Sequence, residues 1–249
     1  MAGHSKFKNI MYRKGAQDAK RARLFAKLAR EISVAAKSGI PEPEKNPRLK
    51  NAIINARAEN MPKEKIDKAI QKSVGGENDA SYEEMHYEGY GPEGIAIIVD
   101  VLTDNRNRTA SEIRSIFNKH GGTMGETGSV NFLFSRNGII KYPSSVCPAN
   151  IFFDKAADSE CKDINSDEDF HEVICDSEKL GLVRNFLSNK LGDPLSAKLE
   201  WMPLTPVKID ESKLDSLIKF LEVLEENDDV QDVYANLEVT KEILEKISI

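Results

Sequence analysis

The sequence predicts an α+β protein in which an N-terminal three-helix bundle precedes two α/β domains, one inserted in the other. Three observations carry that prediction. Apolar residues recur at three- and four-residue intervals until the Gly75-Gly76 pair, which is a helical period. Beyond Gly76 short β-rich runs alternate with amphipathic stretches. One complete β-α-β-β-α-β series then lies between two partial ones, as an insertion would leave it.

The first helix is expected between Gln17 and Ser38, where Phe25, Leu28, Ala29, Ile32, Ala35 and Ala36 fall within an arc of about 120°. Asn46-Pro47 supplies a cap and a first-turn proline for the second, with Leu49, Ala52, Ile53 and Ala56 facing inward. Pro62 opens the third, Ile66, Ala69, Ile70 and Val74 line its apolar face, and Gly75-Gly76 stops it. The next segment reads as a strand in EGIAIIVDVLT, a helix in ASEIRSIFNKHG and an alternating strand in SVNFLF. The complete series has strands at 139–142, near Cys161, at 170–175 and at 197–202, with helices at 149–157 and 178–190. A strand at 207–209, a helix at 211–226 and a strand at 230–239 close the chain. This pattern fits two split β-α-β, ferredoxin-like sheets. The expected domains are 1–77, a discontinuous 78–135 plus 203–249, and an inserted acidic 136–202.

The formal net charge of -6 conceals a split. Up to Lys72 there are 18 Lys+Arg against 7 Asp+Glu, and the remainder holds 17 against 34. A basic part of this kind suits a polyanion partner, which the acidic remainder repels. On the first helix Lys20, Arg23, Lys27, Arg30 and Lys37 occupy an arc of about 100° opposite the apolar one, so a continuous outward stripe of cations is expected. Arg21 falls on the apolar side, where its stem packs and its head snorkels outward. Before the helix, Lys6, Lys8, Arg13 and Lys14 are interleaved with Phe7 and Tyr12 and read as an arm. Such an array follows phosphates, releasing counterions without reading sequence.

Other motifs point away from catalysis. Gly89-Tyr90-Gly91-Pro92-Glu93-Gly94 has G-x-G-x-x-G spacing but precedes a strand, so it reads as a turn and not a dinucleotide site. Asp163, Asn165, Asp167 and Asp169 begin like a calcium loop, yet Glu168 stands where glycine is needed and Ile174 where glutamate is needed. Gly121 to Gly128 lacks the G-K-[ST] of a nucleotide cradle and reads as a helix stop with a mobile loop. His4, His86, His120 and His171 form no recognised catalytic or metal signature, so no cofactor or metal is expected. Cys147, Cys161 and Cys175 include no C-x-x-C pair and suit a reducing cytoplasm. The run Ile95–Val99 is far short of the roughly 20 residues of a membrane span, and no apolar stretch of a secretory signal follows MAGHSKFKNI. In Thr103-Asp104-Asn105-Arg106-Asn107-Arg108-Thr109 a strand passes into a helix, with Thr109 and Glu112 spaced as a capping box. Arg106 and Arg108 beside that helix start suit a secondary anion site; the alternative is that they pair with acids such as Asp104 across a domain interface.

Taken in order, MAGHSKFKNI, RKGAQDAKR, NPRLKNAI, NMPKEKID, YEGYGPEGIA, LTDNRNRT, GSVNFLF, EDF and DVQDVYAN resemble the YebC/PmpR family of bacterial transcriptional regulators over nearly the whole chain. Phe7 stands where the family usually has tryptophan, which keeps an aromatic and removes the indole N–H. The resemblance implies an all-helical domain followed by two α/β domains, no cofactor and no reaction. It also implies nucleic-acid contacts at Lys6, Lys8, Arg13, Lys14, Lys20, Arg21 and Arg23. The expected function is a non-enzymatic, DNA-binding transcriptional regulator. A ribosome-associated translation factor docking on ribosomal RNA is the alternative, since mitochondrial relatives act in translation.

Overall fold

Phe25, Ile32, Ala35 and Ala36 repeat along one side of α1 (Gln17–Lys37) and bury the core of the bundle. The computed structural model describes residues 17–74, 81–240 and 243–244. Asn46 caps α2 (Pro47–Ala58): its Oδ1 accepts from Leu49 N at 3.0 Å, and Pro47 fills the first turn as expected. Asn46 also donates to Ala35 O at 2.7 Å, so one side chain fixes the α1–α2 corner. Ile66 and Ala69 of α3 (Lys63–Val74) close the core, and burying an aliphatic chain such as Ile32 or Leu49 contributes about 1.5–3 kcal/mol. The Gly75-Gly76 stop lies outside the described residues.

The chain continues through β1 (Glu83–Tyr90), β2 (Ala96–Thr103), α4 (Arg106–Lys119) and β3 (Thr123–Met124). It then runs through β4 (Phe134–Pro143), α5 (Ala149–Ala156), β5 (Asp163–Ser166), β6 (Phe170–Asp176), α6 (Leu180–Leu191) and β7 (Ser196–Pro203). The last elements are α7 (Glu211–Glu225) and β8 (Val230–Ala235). Among the described residues these make seven helices and two four-stranded antiparallel sheets, ordered β3-β1-β2-β8 and β5-β6-β4-β7. The strands of the second sheet lie in sequence between those of the first, and their order is ferredoxin-like. Ile97, Val99 and Val101 of β2 pack under α4 and α7, while Ala96 and Ile98 on its other face meet Phe134, Tyr234 and Trp201. Burial on both faces explains the unbroken apolar run of β2.

Four expectations change. β1, with the polar sequence EEMHYEGY, was not anticipated, and it pairs along its whole length with β2. SVNFLF is not a strand: residues 131–133 form a 3-10 turn, and the strand returning after α4 is the short β3, paired with β1. The loop 121–128 is pinned. Buried Glu88 accepts from Gly128 N, Val130 N and Asn131 N, each at 2.8 Å, and Gly125 N donates to Glu88 O. Residues 207–209 form no strand, only an isolated parallel bridge from Val207 to Leu237. The G-x-G-x-x-G segment is the β1–β2 turn. A Cβ on Gly89 would lie 2.5 Å from Thr123 O, and Gly94 has φ +71°, so close approach and left-handed backbone account for these glycines.

Candidate nucleic-acid interface

The bundle carries cations in two places, and the fold treats them differently. Arg23, Lys27 and Arg30 follow one another on the side of α1 that meets the corner between α7 and β8, where Glu225, Glu226, Asn227, Asp228 and Asp229 occur in a row. Lys27 is buried at 9% exposure, and its Nζ donates to Glu225 O at 2.6 Å, one of the carbonyls the end of α7 leaves without a helical partner. Burial pushes the Lys27 ammonium below the ordinary lysine range, and the charges of Glu225, Asp232 and Asp228 offset part of that shift. Arg30 Nη1 donates to Asp228 O at 2.8 Å, Asp229 Oδ1 at 3.1 Å and Leu102 O at 3.2 Å, and its guanidinium stacks over the Tyr82 ring. Arg23 pairs with Glu226 at 3.4 Å near the surface.

Asp229 is the centre of this joint. Its Oδ2 accepts from Thr109 Oγ1 at 2.7 Å, Arg108 Nη2 at 2.8 Å and Thr103 Oγ1 at 3.1 Å. Burial pushes its carboxyl up, but the hydrogen bonds from Arg108, Thr109 and Thr103 outweigh it, so the group sits below the usual carboxylate range. A polar cleft of about 580 Å³ opens beside the joint, lined among others by Arg23, Arg30, Arg108, Asp104 and Glu226.

The expected outward stripe is therefore not continuous. Lys27 is covered and Arg30 is engaged by the protein's own oxygens, because an acidic segment about two hundred residues away docks on the row. Lys20 is half-buried and Lys37 exposed. Arg108 follows the paired alternative: it bonds to Asp104 at 2.9 Å as well as to Asp229. The helix start is also displaced. Asn105, not Thr109, caps α4 by accepting from Arg108 N at 3.1 Å, and Thr109 is buried inside the first turns. Arg106 remains exposed at that end. Lys6, Lys8, Arg13 and Lys14 lie outside the described residues.

The second group joins Arg21, expected from the sequence, to Lys65 and Lys68, which the sequence reading missed. Arg21 and Lys65 both lie over the Phe25 ring, at 5.3 and 5.0 Å from its centre, and Lys68 follows Lys65 one turn along α3. All three are exposed. The i, i+3 spacing on KEKIDK was the available signal, but only the packing of α3 on α1 brings these lysines beside Arg21. Snorkelling of Arg21 is seen as a cation–π contact.

The bundle's remaining anchors are on α2. Arg48 makes a two-pronged pair with Glu31, at 2.9 and 3.0 Å, and reaches Glu84 of β1. Ala197 N donates to Asn55 Oδ1 at 3.0 Å, and buried Arg184 donates to Pro47 O at 3.2 Å and to Asn51. Elsewhere, His171 brings its Nδ1 within 2.7 Å of Ser166 Oγ, while its other ring nitrogen bonds Cys147 O. A carbonyl thus stands where a catalytic pair would use a carboxylate, and the ring, stacked on Phe152, ties the β5–β6 hairpin to its domain. Among the described residues no group of three or more His, Cys, Asp or Glu is placed to hold a metal ion, and the Asp163–Asp169 run forms that hairpin. No helix there is long and apolar enough to cross a membrane.

Residues 5–76 match the model of the TACO1/YebC protein N-terminal domain, and residues 82–237 that of the TACO1/YebC second and third domain, the latter named for transcriptional regulators. The chain belongs to the TACO1/YebC family. A crystal structure of a conserved hypothetical protein, Aq1575 from Aquifex aeolicus, is similar at 43% identity with a TM-score of 0.82, covering 93% of this chain and 96% of that one. The resemblance read from the motifs is thereby established, as is the fold of N-terminal helices followed by two sheet domains.

Proposed function

We propose that this TACO1/YebC protein is a non-enzymatic, nucleic-acid-binding regulator that acts on transcription from the cytoplasm, gripping phosphate with its N-terminal domain. The observation that carries this reading is the pair of exposed cations, Arg21 and Lys65, over the Phe25 ring near the start of α1, with exposed Lys68 one turn along α3. In the sequence Lys6, Lys8, Arg13 and Lys14 precede α1 and add four cations to this domain, which suits a polyanion partner. The bundle, 1–77, is the binding domain; 78–135 plus 203–249 and 136–202 are the two acidic domains that restrict how it approaches DNA. Base reading has little support here, because of Arg21, Lys65 and Lys68 only Arg21 has the fork for a two-pronged base contact and its guanidinium lies over the Phe25 ring, so DNA shape or a partner supplies specificity.

Ribosomal RNA is the second partner this surface fits, since a phosphate-directed grip does not by itself distinguish the two polymers. Equilibrium binding of the full chain to duplex DNA and to a structured RNA across a salt series tests the shared claim. A steep linear fall of log affinity with log salt is expected. Lack of binding to both polymers at low salt sinks it. Occupancy of particular promoters in cells then supports the transcriptional role, and co-sedimentation with ribosomes supports translation.

A further inference from the structure

The acidic corner after α7 does more than fill space against the bundle. We propose that residues 225–229 form an internal stand-in for a phosphate backbone, which a nucleic acid displaces to reach Arg23, Lys27 and Arg30. This regulation of the binding face rests on the nucleic-acid reading above.

Three features support it. The cations recur at i, i+4 and i+7, forming one row on α1 as a polymer of phosphates requires. What meets the row is a set of oxygens from four of these five residues: Glu225 O at 2.6 Å from Lys27, Glu226 Oε1 at 3.4 Å from Arg23, and Asp228 O and Asp229 Oδ1 at 2.8 and 3.1 Å from Arg30. Four carboxylates stand in those five positions, and the negative end of the α7 dipole points at them. Finally, the covering is uneven. The Lys27 contact is buried, whereas the Arg23 side chain is 44% exposed and borders the open cleft together with Arg30 and Arg108.

Exchange starts at the exposed Arg23–Glu226 pair, which is weak and screened, and the counterions released by each phosphate that a cation neutralises offset the cost of parting the buried Lys27 and Arg30 contacts. The bundle also has a pivot. Its anchors to Glu84, Ala197 and Arg184 all involve α2, so the bundle can turn as a unit about α2 and lift α1 from the corner. The closed form binds through Arg21, Lys65 and Lys68, and the open form adds the row.

The test is a tether. Arg23→Cys and Glu226→Cys, in a Cys147→Ser, Cys161→Ser background, are joined by a short bismaleimide; the same protein capped with a monofunctional maleimide is the control. Both are titrated with a short DNA duplex and an RNA hairpin over a salt series. The capped form is expected to bind about tenfold more tightly near physiological salt, with a slope steeper by about 2 from Lys27 and Arg30. Equal affinities and slopes overturn the latch and leave the nucleic-acid reading standing; absence of binding by the capped and wild-type proteins overturns both.

Discussion

Two carboxylates, Asp229 buried and Asp100 half-buried, mark two joints of this protein, and they sit in opposite electrostatic states. Asp229, between the bundle and the first sheet, is met by two arginines and two hydroxyls and is held below its ordinary pKa. Asp100, between the sheets, receives the Trp201 Nε1 donor at 3.1 Å; burial and the charge of Asp232 push it up to about 6. The first joint thus gathers its charges on one carboxylate, whereas the second packs Ile98, Phe134, Tyr234 and Trp201 beside an ion pair across the sheets, Lys198 with Asp232 at 3.5 Å. The difference teaches that cations counted in a sequence are not all available to a partner: Arg30 and Arg108 are already engaged at the ionic joint.

The largest expected effect comes from removing the ionic centre. Asp229→Ala leaves Arg30, Arg108, Thr103 and Thr109 without their shared acceptor and is expected to cost about 3–5 kcal/mol in urea unfolding. The sign with pH follows from the lowered pKa. The contribution of Asp229 is full above the unfolded aspartate value near 4 and is lost as pH falls through the lower folded value. A variant as stable as wild type at neutral pH would erase the contrast between the joints.

Asp100 behaves in the reverse sense. Its folded form holds a proton more tightly than the unfolded chain, so wild-type stability falls as pH rises from about 4 to about 6. Asp100→Asn keeps an acceptor for Trp201 and is expected to stabilise the protein at pH 7 by up to about 3 kcal/mol, the gain vanishing below about pH 4. A loss of stability at pH 7 would mean that the ionised carboxylate is favoured there. The smallest effect is at the rim of the ionic joint, where the Arg23–Glu226 pair is about half exposed. Arg23→Gln is expected to change unfolding stability by less than about 1 kcal/mol. A larger loss would extend the strong part of the joint to the surface.

Local chemistry made much of the bundle readable. Asn46-Pro47 announced α2 because cap and first-turn preferences act within a few residues. Failures came from partners distant in sequence. SVNFLF alternates like a strand, yet Val130 N and Asn131 N bind the Glu88 carboxylate more than forty positions earlier, and the backbone turns to reach it. β1 hid behind its charges, since what makes it a strand is pairing with β2 and β3. The same reason limited the reading of the site. Helical geometry put Arg23, Lys27 and Arg30 on one face correctly, but could not show that residues 225–229 cover it. Nor could it show that α3 brings Lys65 to the Phe25 ring already touched by Arg21.

The central claim is that the cations left exposed by the fold hold nucleic acid. Its most direct measurement is the salt dependence of duplex DNA binding by wild type and by Arg21→Glu/Lys65→Glu/Lys68→Glu, each first shown to unfold at the same urea concentration. The account predicts weaker binding in the variant, with a salt slope shallower by about 1 for each cation replaced. Identical slopes and affinities in two equally stable proteins would contradict it.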